Sequence, residues 1–217
     1  MICKHYFNGN TKEATKMQLD YLALVNALFC EVNPIPVKEA MNILGFNAGK
    51  PVLLHGVTGS GKTEIYIKLA QEALKSGRNV LYMVPEIALT PQLLALFDAH
   101  FGDQVAVLHS SLPAGERYDQ WKRIRSADAS VVVGTRSAVF APCGKLGLVI
   151  LDEEQEHSYK SENSPRYAAR EVALWRGLKE KALVLFGSAT PSVETMYHAK
   201  NGNYRLYTLH RRYNGKP

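Results

Sequence analysis

The stretch HGVTGSGKTEIY, residues 55–66, decides how the rest of the chain is read. Gly56, Gly61, Lys62 and Thr63 satisfy the pattern G-x-x-x-x-G-K-[ST]. Without side chains at Gly56, Gly59 and Gly61, backbone N–H groups can approach phosphate oxygens closely. A helix opening near Lys62 turns its positive dipole end toward the same oxygens. Lys62 reaches the β and γ phosphates, and the Thr63 hydroxyl ligates Mg²⁺. The run Gly56, Val57, Thr58, Gly59, Ser60, Gly61, Lys62, Thr63 is therefore predicted to cradle a nucleoside triphosphate. The competing explanation is a glycine-rich turn with no ligand. Against it stand the flanking elements: PVLLH (51–55) reads as a buried strand, and a helix is predicted from Thr63 to Ser76, ended by Gly77.

Outward from this loop, short apolar runs alternate with amphipathic stretches. NVLYMV (79–84), VAVLH (105–109), SVVVG (130–134), LGLVILD (146–152) and LVLFG (183–187) read as strands. Helices are predicted after Thr90 and Pro91, over 113–126, 167–179 and 192–200, with Thr90 as an N-cap and Pro91 at the first helical position. LGLVILD is apolar almost throughout, as a strand covered on both faces should be. Such alternation predicts an α/β fold with a mostly parallel sheet and helices on both faces.

A phosphate loop needs a carboxylate to hold its metal. LVILDEEQ (148–155) supplies one at the C-terminal end of a strand, where open α/β sheets bind ligands. Asp152 is predicted to hold Mg²⁺, and Glu153 to orient or deprotonate an attacking water. Taken alone, such an acidic strand end is more often a solvated loop. GSATPS (187–192) follows the next strand. Its small hydroxyl residues could sense a γ-phosphate, or Thr190 and Pro191 could simply start a helix; both can hold at once.

The chain has 217 residues, 46% hydrophobic and 21% charged, with a formal net charge of +6. These values fit one globular domain with an appendage, and they permit a polyanionic partner without requiring one. Cys3, Cys30 and Cys143 are scattered singly, which suggests neither a zinc site nor a disulfide framework. No apolar run approaches the ~20 residues needed to span a bilayer, and the start carries no secretory h-region. A cytoplasmic protein with no membrane partner is expected. Residues 1–50 read differently from the rest. Two short amphipathic helices there make either a piece of a winged-helix domain or a helical hairpin packed on the sheet.

The order phosphate loop, DEEQ, SAT resembles one lobe of the superfamily 2 helicases. GVTGSGKTEIY, VPEIALTPQ (84–92), LHSSL (108–112), VGTRSAVFAP (133–142), DEEQEHSYK (152–160), PRYAAR (165–170) and GSATPS narrow the resemblance. Together they are similar to the PriA family of replication-restart helicases, from about residue 51 to 210. The resemblance implies a P-loop NTPase (RecA-like) first motor lobe over 51–210, with 211–217 starting an inter-lobe connector. It implies ATP-driven 3′-to-5′ translocation on single-stranded or forked DNA in bacteria, with primosome proteins and single-stranded DNA-binding protein as partners and an association with the nucleoid. Carried over by position, Lys62, Asp152, Glu153 and Gln155 serve hydrolysis. Thr90, Gln92, Thr135 and Arg136 match DNA-tracking motifs. SYKSENSPRY (158–167) is similar to an aromatic-rich loop that couples strand binding to hydrolysis, which gives Tyr159, Lys160, Arg166 and Tyr167 a DNA-binding role. Aromatic faces with interleaved cations suit base stacking and phosphate contact, although each residue can equally be an ordinary surface side chain.

The chain departs from the family pattern in several places. Gln155 and Ala168 stand where relatives often carry His. The cysteine-rich zinc segment of the family belongs to its second lobe, so no zinc is expected in this chain. ATP in the family sits between two lobes, the second supplying an arginine finger worth roughly 10³–10⁵ in rate. Arg211 and Arg212 are poor candidates for that role, and Gln18 is only a weak candidate for an adenine contact. The chain is therefore expected to be a truncated form or a single lobe, weakly active alone. Two other readings remain: a nucleotide-blind DNA- or primosome-binding module derived from a helicase lobe, and a P-loop kinase or transporter ATPase. DEEQ followed by GSAT, without an LSGGQ-like signature, counts against the last.

Overall fold

The computed structural model describes residues 49–164 and 166–210. The helical segment expected over 1–50, Gln18 and the connector over 211–217 fall almost wholly outside them.

Seven parallel strands form one sheet in the order β3-β4-β2-β5-β6-β1-β7. The strands are β1 (Val52–Gly56), β2 (Asn79–Met83), β3 (Val105–Leu108), β4 (Val131–Gly134), β5 (Leu146–Asp152), β6 (Leu183–Ser188) and β7 (Arg205–Leu209). The helices between them are α1 (Lys62–Lys75), α2 (Pro91–Phe101), α3 (Ala114–Arg125), α4 (Ala169–Glu180) and α5 (Val193–Lys200). From β1 through β3 the chain steps toward one edge; from β3 onward it turns back. Right-handed crossovers then place α1 and α2 on one face and α3, α4 and α5 on the other.

Side-chain packing follows this division. Leu81, Val149, Val184 and Phe186 pack with Ile124 of α3, Ala173 of α4 and Ala199 of α5. On the opposite face Tyr82 stacks on Phe97 of α2 and lies beside Tyr66 of α1. Burial on both faces explains why the strands are apolar throughout rather than alternating.

Local signals set most boundaries. Thr90 caps α2 by accepting from the Leu93 N–H at 3.3 Å, with Pro91 in the first turn. The last helix, expected over 192–200, forms within one residue of those bounds, but the reading of Thr190 and Pro191 as its start is corrected. Helix α5 begins at Val193, and Ser192 is the cap, accepting from the Thr195 N–H at 3.3 Å. Thr190 instead donates its backbone N–H to Ser188 Oγ at 2.9 Å, so a turn separates strand from helix. Helix α4 starts two residues later than expected, at Ala169, because Ala168 first pairs antiparallel with Lys160 to close a small hairpin. The pattern of RLYTL is too short and mixed to predict a strand, and it becomes β7 by pairing with β1.

Candidate nucleotide and strand-binding site

The sheet's C-terminal edge carries every predicted site residue. Order within the sheet divides that edge. β6 and β1 lie on one side, β2 and β4 on the other, with β5 between them.

On the first side, the phosphate loop leaves β1 and opens α1. Gly59 and Gly61 adopt left-handed backbone at φ 79° and 88°, a conformation that favours glycine. Helix α1 has no side-chain N-cap, a feature it shares with α3 and α4, and its N-cap position is the left-handed Gly61. Lys62 is buried and folds back, donating from Nζ to the Gly56 carbonyl at 2.8 Å. Ser60 Oγ is buried without a hydrogen-bond partner, and a Cβ on Gly56 would come within 2.6 Å of it. Val57 and Thr58 project to solvent, and Thr63 is half-buried in the first turn of α1.

Facing this loop, β5 ends at Asp152. Both its carboxylate oxygens are engaged: Oδ1 accepts from Tyr66 Oη at 3.0 Å and from the Glu153 N–H at 3.1 Å, and Oδ2 accepts from Tyr82 Oη at 3.1 Å. Burial pushes the Asp152 carboxyl above its ordinary range; Tyr66, Tyr82 and Lys62 act the other way, and the neighbouring Glu153 adds to the rise. Glu153 has a left-handed backbone at φ 47°, rare for a residue with a side chain and typical of positions held for function. Gln155 Nε2 donates to Glu153 Oε2 at 2.9 Å, and Ser188 Oγ donates to Gln155 Oε1 at 2.6 Å. The DEEQ segment and the SAT turn are thus joined by one continuous chain of hydrogen bonds.

The acidic residue between them, Glu154, points the other way. It is buried and accepts from the Ser192 N–H at 2.7 Å and from Thr195 Oγ1 at 2.8 Å, with Arg170 Nη1 at 3.6 Å. Its task is to anchor α5. Glu154, Arg170, Tyr66 and Tyr82 were not singled out from the sequence. Only the spacing of Tyr66, one helical turn after Lys62, could have pointed to any of them.

The other half of the edge carries the expected strand contacts. Thr90 and the exposed Gln92 follow β2; Thr135 and Arg136 follow β4. Tyr159, Lys160, Arg166 and Tyr167 lie in or beside the hairpin after β5, where Ser161 N–H donates to the Tyr167 carbonyl at 2.7 Å. Two of these residues are buried. Tyr159 is buried, its hydroxyl 2.7 Å from the Asp152 carbonyl and 3.0 Å from that of Met83, so its ring offers no stacking face. Thr135 is also buried, inside the turn after β4. The guanidinium of Arg136 is not free either: Nη1 donates to the Lys160 carbonyl at 2.6 Å, and the group lies 5.9 Å from the Tyr167 ring. Lys160 and Arg166 are exposed, and Tyr167 is half-buried, edge-on to the exposed Phe140 at 4.9 Å. Among the described residues no helix is long and apolar enough to cross a membrane.

A phosphate loop and a strand-end acid on one parallel sheet are the arrangement of a P-loop NTPase fold. The profile of the DEAD/DEAH box helicase family matches residues 36–198, and the chain belongs to that family. Its relatives include the replication restart protein PriA of Bacillus subtilis, 48% identical over 179 residues, which is 82% of this chain and 22% of that protein. PriA of Synechocystis is 44% identical over 200 residues, 90% of this chain and 24% of that one. The similarity expected from the motifs is therefore present, and the chain spans about a quarter of the length of these relatives. The profile of the dihydrodipicolinate synthetase family matches residues 1–55, almost all outside the described residues. Among solved structures, RecG bound to a three-way DNA junction is similar at a TM-score of 0.56 and 23% identity, over 86% of this chain and 25% of that one. The Pyrococcus furiosus Hef helicase domain is similar at 0.54 and 21%, over 78% and 37%. At these identities the two structures speak to the fold alone.

Proposed function

We propose that residues 51–210 are the ATP-binding first motor lobe of a PriA-type 3′-to-5′ DNA helicase acting in replication restart in the bacterial cytoplasm. The observation that carries the reading is the hydrogen-bonded line from Glu153 through Gln155 to Ser188, set beside the phosphate loop. It joins the group that would face a γ-phosphate to the turn that would report it.

In this reading Lys62 exchanges the Gly56 carbonyl for phosphate oxygens when ATP enters, and the first amides of α1 receive the same anion. Thr63 and Asp152 would hold Mg²⁺, which when bound would neutralise developing phosphate charge. Among the described residues no three acidic, His or Cys side chains gather into a metal cage. That fits an ion held by one or two protein ligands together with phosphate. Glu153, oriented by Gln155, positions water and takes its proton. Gln92, Lys160, Arg166 and Tyr167 are exposed or half-buried on the β2, β4 and β5 side and meet single-stranded or forked DNA. Primosome proteins and single-stranded DNA-binding protein are the partners such a lobe implies. With one wall of the cleft supplied by these residues, the chain by itself binds ATP·Mg²⁺ weakly and turns it over slowly.

Titration with a fluorescent ATP analogue tests the core of this. Lys62→Ala is expected to weaken binding about 10- to 100-fold, as losing a charged hydrogen bond worth ~1.5–3 kcal/mol would. An unchanged affinity would remove the nucleotide role. Labelled single-stranded DNA, titrated at several salt concentrations with and without nucleotide, tests the motor role. Binding indifferent to nucleotide would favour a plain DNA-binding module. Brisk DNA-stimulated ATPase by the chain alone would refute the expectation of weak activity.

A further inference from the structure

Two phenols are buried against the acid at the end of β5. Tyr66 and Tyr82 are 0% and 1% exposed. Burying a hydroxyl costs free energy unless it finds a partner, and both find the same one. Tyr66 Oη donates to Asp152 Oδ1 at 3.0 Å, and Tyr82 Oη to Oδ2 at 3.1 Å. Neither ring has room to leave. Their centroids are 5.8 Å apart, and Tyr82 stacks on Phe97 at 4.7 Å. Position 187 on the adjoining strand is glycine, and a Cβ there would lie 1.7 Å from Tyr66 Oη. The sheet leaves a gap that this hydroxyl fills.

The donors also decide what Asp152 has left to offer. A carboxylate has about four lone-pair sites, two on each oxygen. Tyr66 and the Glu153 N–H take both on Oδ1; Tyr82 takes one on Oδ2. One site remains, on Oδ2.

We propose that Tyr66 and Tyr82 are positioning residues that lock the Asp152 carboxylate so that it meets Mg²⁺, or a water on it, through a single Oδ2 lone pair. This rests on the ATP·Mg²⁺ reading of the site. Without the clamp, the carboxylate rotates or engages through either oxygen, and the gain in nucleotide affinity that Mg²⁺ brings is reduced. The phosphate loop does not depend on the phenols, so affinity for metal-free nucleotide is unaffected.

The experiment compares the chain with Tyr66→Phe, Tyr82→Phe and the double variant. A fluorescent ATP analogue is titrated with Mg²⁺ and again with EDTA. Each single variant is expected to cut the Mg²⁺-dependent gain severalfold, and the double variant to abolish most of it, with affinity in EDTA held within about twofold. A full Mg²⁺-dependent gain in variants that melt normally overturns the clamp. So does an equal loss with and without metal, which marks a packing role only. If a variant fails to fold, 3-fluorotyrosine incorporated into the unaltered sequence gives a second readout. The fluorine resonances assigned to Tyr66 and Tyr82 should shift with Mg²⁺ and nucleotide together and not with nucleotide in EDTA; unmoved resonances overturn the clamp. Nucleotide that does not bind the parent chain sinks the proposed function and the clamp together. Binding with a Mg²⁺ gain that the variants keep sinks the clamp alone.

Discussion

Glu154 and Glu153 are neighbours with opposite duties. The left-handed backbone at Glu153 turns its side chain toward Gln155, while Glu154 points into the protein to hold Ser192, Thr195 and Arg170. Removing Glu154 strands the Ser192 backbone N–H, takes one of two partners from the Thr195 hydroxyl and breaks part of an ion pair. Glu154→Ala is expected to cost on the order of 3 kcal/mol. Urea unfolding checks this: the midpoint should fall with little change in slope, and a midpoint that does not move would show that Glu154 holds nothing. Arg136 tells a similar story at the neighbouring loop. Its bond to the Lys160 carbonyl is one tie between the turn after β4 and the hairpin after β5, beside the Phe140–Tyr167 ring contact. Arg136→Ala should speed hydrogen exchange across 158–168 while changing global stability by only ~1 kcal/mol. Unaltered exchange there would mean the hairpin stands without that tie.

At the scale of elements, close approach decides what residues a strand end tolerates. Strand β6 passes α1 at Gly187 so nearly that any side chain would strike the Tyr66 hydroxyl. Gly187→Ala is expected to push Tyr66 off Asp152 and to destabilise by ~1–3 kcal/mol through overpacking. Thermal melting together with the Mg²⁺ dependence of nucleotide binding measures both effects; a variant normal in each would deny the close contact. Elements also mark where sequence reading succeeded. LGLVILD and NVLYM were legible as strands because both their faces are buried, and α2 was legible because Thr90 and Pro91 carry a local start signal. β7 and the capping residue of α5 were not. The first depends on pairing with β1, and the second on Glu154 drawing Ser192 into the cap position from 38 residues away.

Across the whole molecule, burial sets the response to alkali. Desolvation raises the phenols of Tyr66, Tyr82 and Tyr159 well above 10.0 and pushes the Cys143 thiol from 9.0 up to about 11. These groups keep their protons in the folded chain at pH values where the unfolded chain has lost them. The native state then binds more protons, so stability falls as pH rises. It is fully present below about pH 9, declines as the thiol titrates in the unfolded chain, and declines further above 10.0 as the phenols do. Melting temperatures taken from pH 8 to 11 should trace that decline, and Tyr66→Phe with Tyr82→Phe should make it shallower. An equal decline in the double variant would place its origin elsewhere.

The loop between β1 and α1 and the acid run after β5 were legible because each is contiguous: a glycine loop whose conformation only glycine favours, and an acid run at the end of an apolar strand. Contiguity and local backbone preference are properties of the sequence, and they determined the α/β class, the phosphate loop and the acid that faces it. Which residues serve that acid is a different matter. Tyr66 and Tyr82 stand 86 and 70 positions from Asp152, and in the sequence they look like core aromatics. Tyr159 looked like a stacking platform until the fold buried it beneath the ends of β2 and β5. Only tertiary structure decided these roles, because a hydroxyl's partner and a ring's exposure depend on which distant strands and helices close around it.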